Sequence, residues 1–472
     1  MQHTPRRYAI VAAAVAVTLS LAGCGGVDPL LESGAARDSA PTTEASTAPA
    51  DGSDAASPIT TVTDTMLGWI TAPDPTALDP AAIDALAAPE LAEALAQVGG
   101  LVGPVAQIIS SGPITVGERS ENGLESTVAL TTGRGAPLTL RLRATETGLL
   151  SGIQALPDAS TVTSFAAADT ALGSLGARTS YVASRVTDGR CTPVHALNAD
   201  ESLPLASISK LYVLGALARA VGNGSVSWDE QLTVTDARKS APSGQLQFAP
   251  EGTPVTVREA AEAMIAISDN TATDLIIDRI GRDAVEAEVS TMGHADPAAL
   301  TPFPTTREFF LLGWGLPDLR EQWRGADTQT RRDILASIET RTIDSQPVDA
   351  ATADLDYEGI VTRPGTPDGV EWFGSANDIC RAYAALTVGP QSDVVRQILA
   401  LNPGAEVDPA RWPYVGYKNG NAAGDVSGSW LLTDASGQDW VVATQLASDE
   451  TVGPLDNAYA FAVVQGTFEL LR

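Results

Sequence analysis

Only three of the 472 residues are lysines, Lys210, Lys239 and Lys418, and the other 26 basic residues are arginines. Arginine stays protonated inside proteins, whereas a desolvated lysine can shed its proton and serve as a base. Lys210 closes Ser207-Ile208-Ser209-Lys210, which opens an apolar, helix-like run from Leu211 to Ala220. Residues three apart on a helix share a face, so the amine is expected beside the Ser207 hydroxyl. A helix start also offers free N–H groups and a positive dipole end to a developing oxyanion. The pattern predicts a serine nucleophile with Lys210 as its general base, the two groups touching in a sheltered cleft. The alternative is a capped helix with a solvated lysine. The apolar run after Lys210 and the scarcity of lysine elsewhere speak against it.

Two further clusters could complete such a site. Ser268-Asp269-Asn270 lies 61 positions after Ser207, between two helix-like stretches. The Ser268 hydroxyl can relay a proton between a lysine and a leaving group, and the Asn270 amide can hold a loop and position substrate. Alone, the tripeptide is a good helix cap. Lys418-Asn419-Gly420-Asn421 follows 150 positions later, at the edge of a strand-like segment. Gly420 would let the strand backbone approach a ligand closely. The N–H groups of Ser207 and Asn421 would then form the oxyanion hole, and Lys418 would hold the Ser268 region positive. Alone, Asn-Gly is an ordinary hairpin turn.

In this order and spacing, the three clusters resemble the Ser-x-x-Lys, Ser-Asp-Asn and Lys-Thr-Gly set of class A β-lactamases and penicillin-binding proteins. Asn419 stands where the last motif has Thr. The segments 301–310, Glu371-Trp372-Phe373-Gly374-Ser375 and 408–414 extend the resemblance. They are similar to two-domain β-lactamase-like serine hydrolases known from clavulanic-acid clusters and from actinobacterial envelope lipoproteins. The resemblance implies an acyl-enzyme mechanism and a small, steroid-isomerase-like cone ahead of the hydrolase domain. One departure bears on turnover. Hydrolytic class A enzymes carry a glutamate between Met-Gly and the following Thr-Thr, but here His294 to Pro304 contains Asp296 and no Glu. Glu308 falls inside the next helix, where a structural role is expected. Acylation by a β-lactam is expected, and efficient hydrolysis of one is not.

Other chemistries fit poorly. No Gly-x-Ser-x-Gly elbow is present, and no Cys/His spacing suits zinc. No cofactor is expected. His195 and His294 read as surface histidines, and Cys191 and Cys380 as two buried free thiols. A net charge of −29 disfavours nucleic acid and anionic lipid as partners.

The elements that must position these residues follow from patterning. Residues 1–23 read as a signal peptide. Arg6 and Arg7 precede the apolar stretch Tyr8–Leu21, too short for the ~20 residues a span needs. Leu21-Ala22-Gly23-Cys24 resembles a lipobox, with Cys24 lipidated and the protein held at the outer face of the cytoplasmic membrane. Residues 24–58, rich in Ala, Ser, Thr and Pro, read as a disordered tether. Residues 59–157 read as a small α+β domain, helices first and then a three-strand meander. Residues 161–472 read as a mixed α+β hydrolase domain, an antiparallel sheet flanked by helices plus an all-helical part. Strand patterns near both ends of that segment (Thr179–Arg185; Trp430–Thr433 and Asp439–Gln445) enclose a helical middle. The expected protein is a monomeric, lipid-anchored serine hydrolase acting on an ester, amide, peptidoglycan-type or β-lactam substrate. A β-lactam binder with slow or no turnover, or a non-catalytic wall scaffold or sensor, is the alternative.

Overall fold

The computed structural model describes residues 56–343, 346–347 and 355–472. The leader, Cys24 and the tether as far as residue 55 lie outside the described residues. Within them, one compact unit takes the chain up to Gly133 and Pro137–Pro157, and a second takes Arg134–Ala136 and Asp158–Arg472. Among the described residues no helix is long and apolar enough to cross a membrane.

The smaller unit begins with α1 (Pro58–Ile70), started by Pro58 and capped by the Ser57 hydroxyl, which accepts from the Thr60 N–H. It continues through two short helices (Pro80–Asp84, Pro89–Leu95) and α2 (Val102–Ser110) into a four-stranded antiparallel meander. The strands are β1 (Thr115–Asn122), β2 (Glu125–Thr131), β3 (Pro137–Ala144) and β4 (Leu150–Pro157). Side chains alternate across a strand, and Val128, Leu130, Leu138, Leu140 and Leu142 accordingly form the buried face. β4 is one strand more than the sequence pattern suggested; the small and polar Ser151, Gly152 and Gln154 hide its period.

The larger unit is built on a five-stranded antiparallel sheet. After α3 (Phe165–Gly173) come β5 (Arg178–Thr187) and β6 (Arg190–Leu197), then the two-residue strand β7 (Leu203–Pro204). The helical middle holds α4 (Lys210–Gly222), α5 (Val257–Ala266), α6 (Asn270–Ile280) and α7 (Thr306–Trp314). The short β8 (Phe373–Gly374) precedes α8 (Ala376–Val388), and β9 (Tyr414–Ala422), β10 (Asp425–Thr433), β11 (Asp439–Ala447) and α9 (Pro454–Gly466) finish the chain. Sheet order is β9-β10-β11-β5-β6, so the last strand pairs with the first and both ends of this unit meet. One sheet face (Tyr181, Trp430, Leu432, Trp440, Val442) packs on α3 and α9. The other (Val182, Leu431, Val441, Ala443) joins the core of the helical middle. The mixed α+β class expected from the sequence is the one observed.

Two expectations are corrected. Cys191 and Cys380 form a disulfide, with Cα atoms 6.3 Å apart. Strand β6 lies over α8, which brings within bonding reach two cysteines that the sequence separates by 189 positions. His294 is not a surface residue. Its ring is buried: Nδ1 accepts from the Asp296 N–H at 3.1 Å and Nε2 lies 3.0 Å from the Phe373 carbonyl oxygen. Because Nδ1 accepts, Nε2 must carry the proton and donate. This ring fastens the loop to β8. His195 is partly exposed, stacked on Phe165 and bonded to Asp169.

Candidate active site

Three segments converge at the end of the β9 edge strand. The first is the turn into α4. Ala206–Ser209 is a single 3-10 turn, and the α-helix starts only at Lys210. Ala206 sits at φ 45°, a left-handed conformation that costs a side-chain-bearing residue of order 1–3 kcal/mol. Several bonds hold it. The Leu205 N–H donates to the Trp372 carbonyl (2.8 Å), the Ser427 hydroxyl donates to the Leu205 carbonyl (3.0 Å), and the Ser209 hydroxyl donates to the Ala206 carbonyl (2.7 Å). Ser207 itself is half-buried, and its Oγ makes no hydrogen bond among the described residues.

The second segment is the turn between α5 and α6. Ser268 also adopts a left-handed conformation, φ 57°. Asp269, fully buried, caps α6 through the Ala272 N–H (2.8 Å) and takes the Gln245 and Leu246 N–H groups on its other oxygen. Gly244, at φ 102°, faces this carboxyl so closely that any Cβ would lie 2.2 Å from Asp269 Cγ.

The third segment is β9. Lys418 is 1 % exposed and pairs in register with Ser429, whose hydroxyl donates to the Lys418 carbonyl (2.7 Å). A Cβ on Gly420 would meet Leu205 O at 2.4 Å and Ser207 N at 2.7 Å. Only glycine lets this strand lie against the Ser207 turn. Asn421 is the next residue, exposed on the edge strand and paired with Val426.

The lysines meet at Ser268. Lys210 Nζ donates to the Ser268 carbonyl (2.7 Å) and Asn270 Oδ1 (2.7 Å) and lies 3.1 Å from the Ser268 hydroxyl. Lys418 Nζ reaches the same hydroxyl at 3.1 Å and the Asn419 carbonyl at 2.8 Å. The expected direct bond between Lys210 and Ser207 is not formed. Two carbonyl oxygens, on Ser268 and Asn270, draw the amine toward the second segment, and the 3-10 turn leaves the serine hydroxyl elsewhere. The Asn270 side chain is also committed to the protein, accepting from Lys210 and donating to the Ala241 carbonyl (3.1 Å). As it stands, Asn270 orients Lys210.

Burial governs the charge of both amines. It lowers Lys210 to about 7, against the opposing pull of the Asp269 and Asp274 carboxylates. It drives Lys418 well below the usual lysine range, with Lys210 as a second, like-charge cause. Near neutral pH Lys210 is therefore partly uncharged. Asp274 lies behind the site and is raised to about 7 by burial, although the N–H groups of Thr306 and Arg307 oppose the shift. Its carboxylate holds the start of α7 (Thr306 N–H 2.7 Å, Arg307 N–H 2.8 Å).

Residues 168–332 match the family described as the β-lactamase enzyme family. A search of curated proteins matched none. Among solved structures, a β-lactamase from Sphaerobacter thermophilus is 21 % identical, with TM-score 0.43 over 66 % of this chain and 96 % of that one. PBP-A is 18 % identical, with TM-score 0.41 over 64 % and 96 %. A β-lactamase from Chitinophaga pinensis is 12 % identical, with TM-score 0.42 over 64 % and 97 %. The matched region contains Ser207, Lys210, Ser268 and Asn270, and Lys418 and Gly420 come from the chain beyond it.

The loop before α7 carries no inward carboxylate. Asp296 is exposed, while Glu308 closes a capping box with Thr305 and pairs with Arg282 at 2.7 Å. Two groups at the site escaped the sequence reading. Ser427 ties the Leu205 and Gly420 carbonyls together, and the buried Glu371 accepts from the Ala206 N–H at 3.1 Å. A carboxyl set between Val370 and Trp372 was the available signal for Glu371. Its partner, 165 positions away, was not readable.

Proposed function

We propose that the protein is an exported serine acyl hydrolase that forms an acyl-enzyme on Ser207. One observation carries this reading: the Ser268 hydroxyl stands 3.1 Å from both the Lys210 and Lys418 amines, and the half-buried Ser207, on the turn that leads into Lys210, keeps a hydroxyl that bonds to no described residue. Neutral Lys210 has two N–H groups and one lone pair. The two carbonyl-type acceptors at 2.7 Å take the N–H groups, which leaves the lone pair for a hydroxyl proton. Substrate binding turns the Ser207 hydroxyl to that lone pair, since such contacts tighten only in the productive complex. Ser207 Oγ then attacks the carbonyl carbon and its proton passes to Lys210. The Ser207 and Asn421 N–H groups receive the oxyanion. Ser268 hands a proton from the amine pair to the leaving group, and Lys418 keeps that hydroxyl polarised.

The substrate is an ester, amide or β-lactam-type carbonyl compound, with peptidoglycan-type peptides included. A second reading concerns rate. The loop before α7 offers no inward carboxylate to activate water, which favours acylation by a β-lactam followed by slow release. Export is supported by the Cys191–Cys380 disulfide, a bond typical of oxidising compartments. The signal-peptide pattern of residues 1–23 and lipidation at Cys24 complete the proposal of an envelope anchor.

Labelling with a fluorescent penicillin and a fluorophosphonate tests the reading. Labelling by either probe that disappears in Ser207→Ala supports it, whereas no labelling by either favours a scaffold or sensor. Nitrocefin turnover by the labelled protein separates a hydrolase from a slow acylator.

A further inference from the structure

The residue before the nucleophile is strained and needs a partner for its N–H. Strand β7 pairs with β8 through Phe373 opposite Pro204 and Gly374 opposite Leu203, and the ladder continues to the bond from Leu205 N–H to Trp372 O. At Ala206 the chain swings to φ 45° and leaves the ladder. A side chain takes over there. Glu371 Oε1 accepts from the Ala206 N–H at 3.1 Å and from the Trp372 N–H at 2.7 Å, so one oxygen bridges both sides of the broken ladder. We propose that Glu371 is a positioning residue for acyl transfer, which locks the left-handed turn that presents Ser207 to substrate.

Three features support this. Glu371 is buried, so its bonds are shielded from competing water. The turn is fixed on its other sides by Ser427, by the close approach of Gly420 and by Gln445, whose amide donates to the Leu203, Pro204 and Gly374 carbonyls (3.0–3.2 Å). Ala206 N–H is the donor these groups leave to Glu371. Asp425, at the β9–β10 hairpin, presents a second buried carboxyl that holds the Thr366 hydroxyl at 2.7 Å. Burial, and then this neighbour, raise Glu371 well above the carboxyl range and favour its neutral form. A neutral carboxyl keeps its carbonyl oxygen as an acceptor without placing a full negative charge behind the oxyanion.

The inference rests on the proposed acyl-enzyme. Its test pairs acylation by the fluorescent penicillin or the fluorophosphonate with amide hydrogen exchange of the peptide covering 203–208 in the unreacted protein. Glu371→Ala is expected to slow acylation about 10²-fold, the cost of small misplacement at a reacting centre, with the probe's apparent binding constant little changed. The same variant is expected to lose exchange protection at Ala206. Glu371→Gln, which keeps an oxygen acceptor, is expected to recover acylation to within about 10-fold of wild type. If Glu371→Ala does not fold, Glu371→Asp, with its shorter reach, takes its place. Wild-type rates in the folded Ala variant, or a Gln variant as slow as the Ala one, would overturn the inference. If neither probe labels the wild type, the acyl-enzyme reading fails and this inference with it. A labelled wild type beside an unaffected Glu371→Ala sinks this inference alone.

Discussion

Two turns meet at this site, and each holds a residue other than glycine in a left-handed conformation: Ala206 at φ 45° and Ser268 at φ 57°. Around Ala206 every bond goes to backbone groups, and the hydroxyl of the serine that follows bonds to no described residue. Around Ser268 the bonds go to the functional groups themselves, and both buried lysines are drawn there. In the proposed mechanism the first turn presents the nucleophile, and the second stores and moves a proton. Strain at both is sustained because the surrounding bonds over-determine the backbone.

Breaking the first turn's chemistry should have the largest effect. Ser207→Ala is expected to abolish acylation, by a factor of roughly 10³ or more, without loss of thermal stability, because the hydroxyl bonds to no described residue. Fluorophosphonate labelling and a melting curve check both halves. Damage to the second turn comes next. Lys210→Met is expected to slow acylation by about 10²–10⁴, measured as the rate of probe incorporation. In the wild type that rate should climb as pH rises through about 7, as Lys210 becomes neutral. A flat profile would separate the amine from the chemistry.

The same shift has a consequence for stability. Lys210 titrates lower in the fold than in the unfolded chain, so the unfolded chain binds the extra proton between about 7 and the ordinary lysine value of 10.5. This residue's contribution therefore favours folding increasingly as pH rises through that window, and is most unfavourable below it. Asp274 acts in the opposite sense. Its folded value of about 7 lies above the ordinary 3.8, so its contribution declines as pH rises between them. Comparing denaturant melts of wild type, Lys210→Met and Asp274→Asn at pH 5.5 and 8.5 isolates the two slopes.

Gly420→Ala tests the contact between β9 and the first turn. A Cβ 2.4 Å from Leu205 O forces the strand away from Ser207, and acylation is expected to drop about 10-fold to 10²-fold. The smallest chemical effect belongs to Cys191→Ser. Losing the link between β6 and α8 should cost about 2–5 kcal/mol of stability, read as a lower denaturation midpoint, while acylation of the folded protein is unchanged.

Much of this was legible in one dimension. Lysine scarcity and the order of three short motifs pointed to Ser207, Lys210, Ser268 and Lys418, because a base must be a residue type that can lose its proton. Helices with strong local signals, such as α8 with its Ser375–Asp378 capping box, could be read from their own residues. Strands whose period is masked by small or polar residues, such as β4 and β6, could not.

What chemistry is available was fixed by composition, since side-chain type depends on nothing else. Which atoms touch was decided only by the folded chain. Long-range approach joined Cys191 to Cys380, placed Glu371 under Ala206, turned His294 inward and gave the Lys210 amine to Ser268 instead of Ser207. Each of those contacts depends on where a distant backbone carbonyl, N–H or sulfur comes to rest, and that is set by packing across the sheet and helices rather than by neighbours in sequence.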